Sequence, residues 1–166
     1  MIELFALLAR YNTGANRRLY DACAALSDAE RKRDAGAFFG SIHGTLNHIL
    51  VGDRIWLARF AGETVPSTGL DAIPYQDFDA LWQARQAEDH HLAGFVAGLT
   101  GARLTETVRY RNNEGRSHAD PLGLLVAHLF NHQTHHRGQV TDLLSRAGAP
   151  TPVLDLHRVL RPDPVT

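Results

Sequence analysis

Four of the chain's ten histidines, His128, His132, His135 and His136, fall within nine residues. Neutral imidazole is a common ligand of divalent metals, and two histidines four apart on a helix lie about 40° apart on consecutive turns, close enough to reach one ion. His132 and His136 have that spacing. Leu122, Leu125, Val126, Leu129, Val140, Leu143 and Leu144 mark the apolar face of this segment, and both histidines fall within it while His128 and His135 lie off its edge. An imidazole on a buried face costs free energy unless it is hydrogen-bonded or metal-bound. The pair alone also arises from composition in a histidine-rich chain, so a metal site needs a third ligand.

A second apolar stripe, Ile42, Leu46, Ile49, Trp56 and Phe60, carries His43 and His48 on its flanks. They sit at comparable angles from its centre, and periodicity does not choose between them. Asp53 lies within the stripe itself. A carboxylate there needs a partner, and the candidates are Asn16, Arg137 or the second nitrogen of a ligating histidine. Two roles stay open for it: a structural hydrogen bond to the first helix, or a catalytic base.

These residues require elements to position them. Helical spacing runs from about residue 3 to 26 (Leu4, Leu7, Leu8, Tyr11, Leu19, Ala22, Leu26), interrupted softly by Gly14. Ser27-Asp-Ala-Glu30 has the form of a capping box that opens a short helical turn. The second helix spans about 41 to 60, with Gly62 placed for a left-handed C-terminal cap. After a loop over 62 to 75, Phe78, Leu81, Trp82, Leu92, Phe95, Val96 and Leu99 mark a third helix with a polar middle. Period-two alternation over 103 to 111, followed by Asn112-Asn-Glu-Gly115, predicts a two-stranded hairpin. Asp120-Pro121 then predicts the cap and first residue of a fourth helix that carries the histidines to Arg146. The tail from Thr151 holds one short turn around 154 to 160. The expectation is an all-α chain of four long helices with a small β-hairpin between helices three and four, in a single domain over residues 1–166.

Composition narrows the function. With 17 Lys and Arg against 18 Asp and Glu, the chain offers no basic field for nucleic acid. No apolar run reaches the roughly 18 residues of a membrane span, and the N-terminus has neither the charged start nor the apolar stretch of a signal peptide. A single cysteine, Cys23, fits a reducing compartment and reads as a small core residue; a cytoplasmic protein is expected.

Three motifs taken in order, Tyr11-Asn-x-x-Ala-Asn16, Gly40-Ser41-Ile-x-Gly-Thr-Leu-Asn-His48-Ile-Leu-x-x-Asp53-x-x-Trp56-Leu-x-Arg59, and His128-x-x-Asn131-His132-x-x-His135-His136-Arg-Gly-Gln139, resemble the DinB family of DinB/YfiT-like metalloenzymes. The resemblance covers nearly the whole chain. It implies an up-and-down four-helix bundle, a homodimer, and a divalent metal on three histidines, whose positions carry over to His48, His132 and His136. Three neutral histidines leave a coordination position open, as in a catalytic site. Zinc or nickel suits imidazole, and the ligand set admits iron. Within the wider superfamily that the chain resembles are transferases and isomerases that use low-molecular-weight thiols. The resemblance thus implies a metal-dependent enzyme, in particular a thiol S-transferase acting on a small electrophile in stress or detoxification. A non-catalytic metal-binding, stress-induced dimer and a metal-dependent hydrolase, with Asp53 as its only candidate base, stand as alternatives.

Overall fold

In the computed structural model, which describes residues 1–65, 69–112 and 114–161, the chain forms α1 (Ile2–Ala24), α2 (Asp28–Lys32), α3 (Ile42–Ala61), α4 (Phe78–Ala97), α5 (Gly101–Leu104), β1 (Thr107–Arg111), β2 (Ser117–Pro121), α6 (Leu122–Arg146) and α7 (Leu156–Leu160). The four long helices α1, α3, α4 and α6 pack side by side. Each has two of the others as neighbours, with α1 facing α3 and α4 facing α6 across the bundle.

Local chemistry sets the boundaries. Ser27 and Glu30 form the expected capping box. Ser41 caps α3 by accepting from the Gly44 amide, and Gly62 ends it at φ 70°, a left-handed conformation in which a side chain would be strained. Asp120 and Pro121 differ from expectation. Both still belong to β2, where Asp120 pairs with Val108, and Pro121 is the capping residue of α6 and has no side-chain bond. Extended pairing to β1 holds the chain one residue longer than the Asp-Pro signal suggests. Nor does Gly14 interrupt α1; a β-carbon there would lie 2.7 Å from Val159 of α7.

The helix senses follow from which residues meet. Phe5 stacks on Phe130, and Asn12 bonds Arg137, so α1 and α6 run together. Asp53 meets Arg85 and Phe60 meets Phe95, so α3 and α4 run together, while Trp56 against His128 and His48 against His136 make α3 opposite to α6. The order is thus up, down, down, up, which keeps the helical bundle but departs from the simple alternation that an up-and-down bundle implies. Two consecutive helices with one sense require a connection that travels back along the bundle. On the chain between α3 and α4, Leu70 and Tyr75 pass beside His48 and His43.

The core divides into two apolar clusters. One gathers Phe5, Phe60, Leu92, Val96, Leu125 and Phe130, and the other Leu19, Tyr20, Leu46, Leu50, Leu81 and Leu144. Between them Asn12, Asn16, Asp53, Arg85, Asp89, Gln133 and Arg137 are all buried. From the polar middle of the third helix Arg85, Glu88 and Asp89 face inward, while Gln83, Gln86, His90 and His91 are exposed.

Candidate metal centre

His48 on α3 and His132 and His136 on α6 meet where these antiparallel helices pack. The Nε2 of His48 lies 3.1 Å from the Nε2 of His132 and 3.1 Å from that of His136. Among the described residues, these three offer ligand atoms all within 4.8 Å of one another. Gly52, one turn beyond His48, makes the approach possible, because a β-carbon there would stand 2.9 Å from Cε1 of His132.

The outer nitrogens fix the protonation of the inner ones. His48 Nδ1 donates to the Leu70 carbonyl at 2.8 Å, and His136 Nδ1 donates to the Gln139 side-chain oxygen at 2.7 Å. Each neutral ring has one N–H, so both Nε2 atoms carry lone pairs. Two acceptors 3.1 Å apart cannot hydrogen-bond each other, and a cation between them would turn that repulsion into coordination. Protonation is a poor substitute. Burial pushes His48 down to about 4 and, with help from the neighbouring histidines, His132 down to about 3. Burial lowers His136 as well. The donor set thus fits a divalent metal: neutral imidazoles, aimed together, with outer hydrogen bonds holding two of the rings.

Other side chains complete or border the cluster. Phe39 stacks on His48 with ring centroids 3.6 Å apart and meets His136 edge-on. Sequence reasoning missed Phe39 because it lies on an irregular segment. Leu70 was equally invisible, since a backbone carbonyl leaves no mark in the side-chain pattern. The structure separates the two histidines that periodicity left together: His43 points its Nε2 at the Tyr75 carbonyl, 2.8 Å away, and anchors the crossover. His135 is exposed, and Gln139 donates to its Nε2 at 3.2 Å. His128 packs edge-on against Trp56.

One side of the cluster opens on a cavity of about 660 Å³ that His132 and His128 line together with Gly52, Trp56, Leu70 and Tyr110. Asp53 is not there. Arg85 of α4 holds its carboxylate at 2.5 Å, and Gln133 donates to the same oxygen. The expected partners Asn16, Arg137 and a ligating histidine are replaced by these two. Asn16 and Asn12 instead donate to Asp89, and Arg137 donates to Asn12, Asn16 and Gln133. Burial pushes the Asp53 carboxyl up while Arg85 pulls it down. With no exposed surface and no place on the cavity wall, Asp53 has no route to a substrate. Cys23 is buried, and its thiol is pushed up to about 12 by desolvation, which removes it as a nucleophile.

Comparison with known proteins places these features in context. The family model described as DinB family matches residues 1–164. Protein DinB of Bacillus subtilis (strain 168) is 25% identical over 151 residues, covering 87% of this chain and 88% of its own. The crystal structure of a DinB-like protein from Bacillus cereus ATCC 10987 superposes with a TM-score of 0.66 at 21% identity, covering 86% of this chain and 90% of that one. None of the described helices is long and apolar enough to cross a membrane.

Proposed function

Since the chain belongs to the DinB family, we propose that it is a metal-dependent enzyme, one domain over residues 1–166, whose His48, His132 and His136 hold a divalent ion. The observation that carries this reading is the meeting of imidazole lone pairs at the edge of a cavity. When bound, such an ion polarises a carbonyl or lowers the pKa of a water or thiol at its open position. Zinc or nickel matches the all-nitrogen set, with iron the third candidate.

The reaction proposed is transfer of a low-molecular-weight thiol to a small electrophile. The protein offers no thiol of its own for this, since Cys23 is sealed in the core. Asp53 does not reach the cavity wall, which weakens the hydrolytic reading built on it. What the residues do supply is orientation. Leu70 and Gln139 fix two imidazoles, Gly52 makes room for the third, and Trp56 and Tyr110 wall off part of the cavity from water. The non-catalytic reading wants a closed ligand sphere, and among the described residues no fourth His, Cys, Asp or Glu joins the cluster. We further propose a cytoplasmic homodimer, which light scattering at micromolar concentration tests directly.

Cobalt substitution tests the chemistry. A cellular thiol that enters the sphere adds a sulfur charge-transfer band, and conjugation of a generic electrophile should exceed that of the metal-free control. If a panel of thiols gives neither, the transferase reading falls and hydrolysis or a structural ion takes its place.

A further inference from the structure

Arg59 stands apart from the other charged groups of the cavity. Its guanidinium carbon lies 4.6 Å from the ring centroid of Trp56 and 4.9 Å from that of Tyr110. Aromatic rings engage a guanidinium through its faces and leave the in-plane N–H donors free. One of these, on Nη2, donates to the Arg111 carbonyl at 2.8 Å and fixes the plane. Nε is buried and has no partner among the described residues, nor does Arg59 form an ion pair among them. The acids on the same wall are already engaged: Asp120 accepts from the Tyr110 hydroxyl at 3.1 Å, and Glu114 pairs with Arg116 at 3.3 Å. The cavity wall thus holds a half-buried cation, oriented by two rings and a carbonyl, with no carboxylate partner among the described residues.

Its position along α3 sets a length. Gly52 abuts His132, and Arg59 follows seven residues later on the same helix, a rise of roughly 10 Å. Ile55, Trp56 and Leu125 line the space between. We infer that this cavity binds a small organic acid by its carboxylate, with Arg59 as the specificity-determining residue and an apolar body reaching from there toward the three histidines. The planar fork of arginine matches a carboxylate, and the bond is strengthened by charge. Asp120 and Glu114 on the same wall disfavour a doubly charged phosphate, so the ligand is a monoanion. This deepens the proposed function by naming the acid end of its substrate.

The test uses the whole chain, as purified and again after chelation, titrated by calorimetry with 4-phenylbutyrate, its neutral amide and the corresponding phosphate monoester. The acid should bind at least tenfold tighter than the amide and tighter than the phosphate. Arg59→Met should abolish that preference and leave amide binding alone, while Arg59→Lys keeps part of it. In the unmodified protein the Arg59 Nε resonance should shift with the acid and stay with the amide, a readout independent of how any variant folds. Equal affinities for acid and amide, no binding of either, or a preference that survives in Arg59→Met would overturn the inference. Because the chelated protein serves, failure here speaks against Arg59 as an acid site, whereas failure to hold metal speaks against the proposed enzyme.

Discussion

The interior of this bundle contains two polar constellations only a few residues apart, and they solve burial in opposite ways. Gln133 and Arg137 of α6 point into the network of Asp53, Arg85, Asp89, Asn12 and Asn16, where two carboxylates meet two guanidiniums and the charges balance. His132 and His136 of the same helix point the other way, into a cluster of three neutral imidazoles in which the Nε2 atoms of His48 and His136 face each other as acceptors. The first set pairs its charges with one another, although Asp53 Oδ1, Arg85 Nε and Arg137 Nε stay unpartnered. The second holds two of its donors on the outside, carries no charge to balance, and could hold a metal ion. Burial alone therefore does not distinguish the two; what differs is that one set pairs opposite charges while the other brings neutral donors of a metal-ligating type together.

The largest effect expected from this contrast is on metal. His48→Ala, His132→Ala and His136→Ala should each lower metal affinity by more than the roughly 10–100-fold that loss of an outer hydrogen bond costs. His43→Ala, His128→Ala and His135→Ala should keep it, and elemental analysis after dialysis separates the groups. Loss on His43→Ala with retention on His48→Ala would reverse the assignment.

Stability should discriminate the two regions next. Asp53→Ala leaves Arg85 buried beside a missing partner and should destabilise by about 3–5 kcal/mol in denaturant unfolding. In metal-free protein His136→Leu should cost far less and can stabilise, because it removes an acceptor that faces another acceptor. Equal losses at the two sites would erase the distinction.

Acid should act on the histidine side. His48 and His132 titrate lower in the folded protein than the ordinary value near 6.5, at about 4 and about 3, so between these values the unfolded chain binds more protons. The metal-free protein should lose stability as the pH falls from about 6.5 toward 3, and the loss should flatten in His132→Ala. Thermal melts across that range measure it.

The smallest effects are expected one layer out. Gln139→Ala removes the acceptor for His136 Nδ1 and should weaken metal binding by roughly tenfold, with little change in fold stability. Gly52→Ala should do the same by displacing the His132 ring.

Much of the histidine cluster is legible from the chain. The four-residue spacing and the apolar face single out His132 and His136, and the family motif supplies His48. Asp53 is legible as an anomaly but not in its solution. Its partner Arg85 sits on a helix whose polar middle looks solvent-facing until the polar interior opposite it is known. Arg59 is likewise present in the motif without a role, because its stacking depends on Tyr110 from a hairpin distant in sequence. The capping box, the helix-ending Gly62 and the hairpin are local and were readable. Helix sense was not, since the length of a loop does not reveal the direction in which it returns.

That returning connection has a thermodynamic corollary. Because α3 and α4 run in parallel, the chain returns between them with Leu70 and Tyr75 beside the histidines, and the Leu70 carbonyl is bonded to a prospective ligand. Whatever binds His48 then draws on the same imidazole that tethers the crossover, so occupancy of the centre and opening of this segment are linked equilibria. Amide exchange around Leu70 becomes a gauge of occupancy, slowing in proportion to how far the bound ligand favours the closed chain.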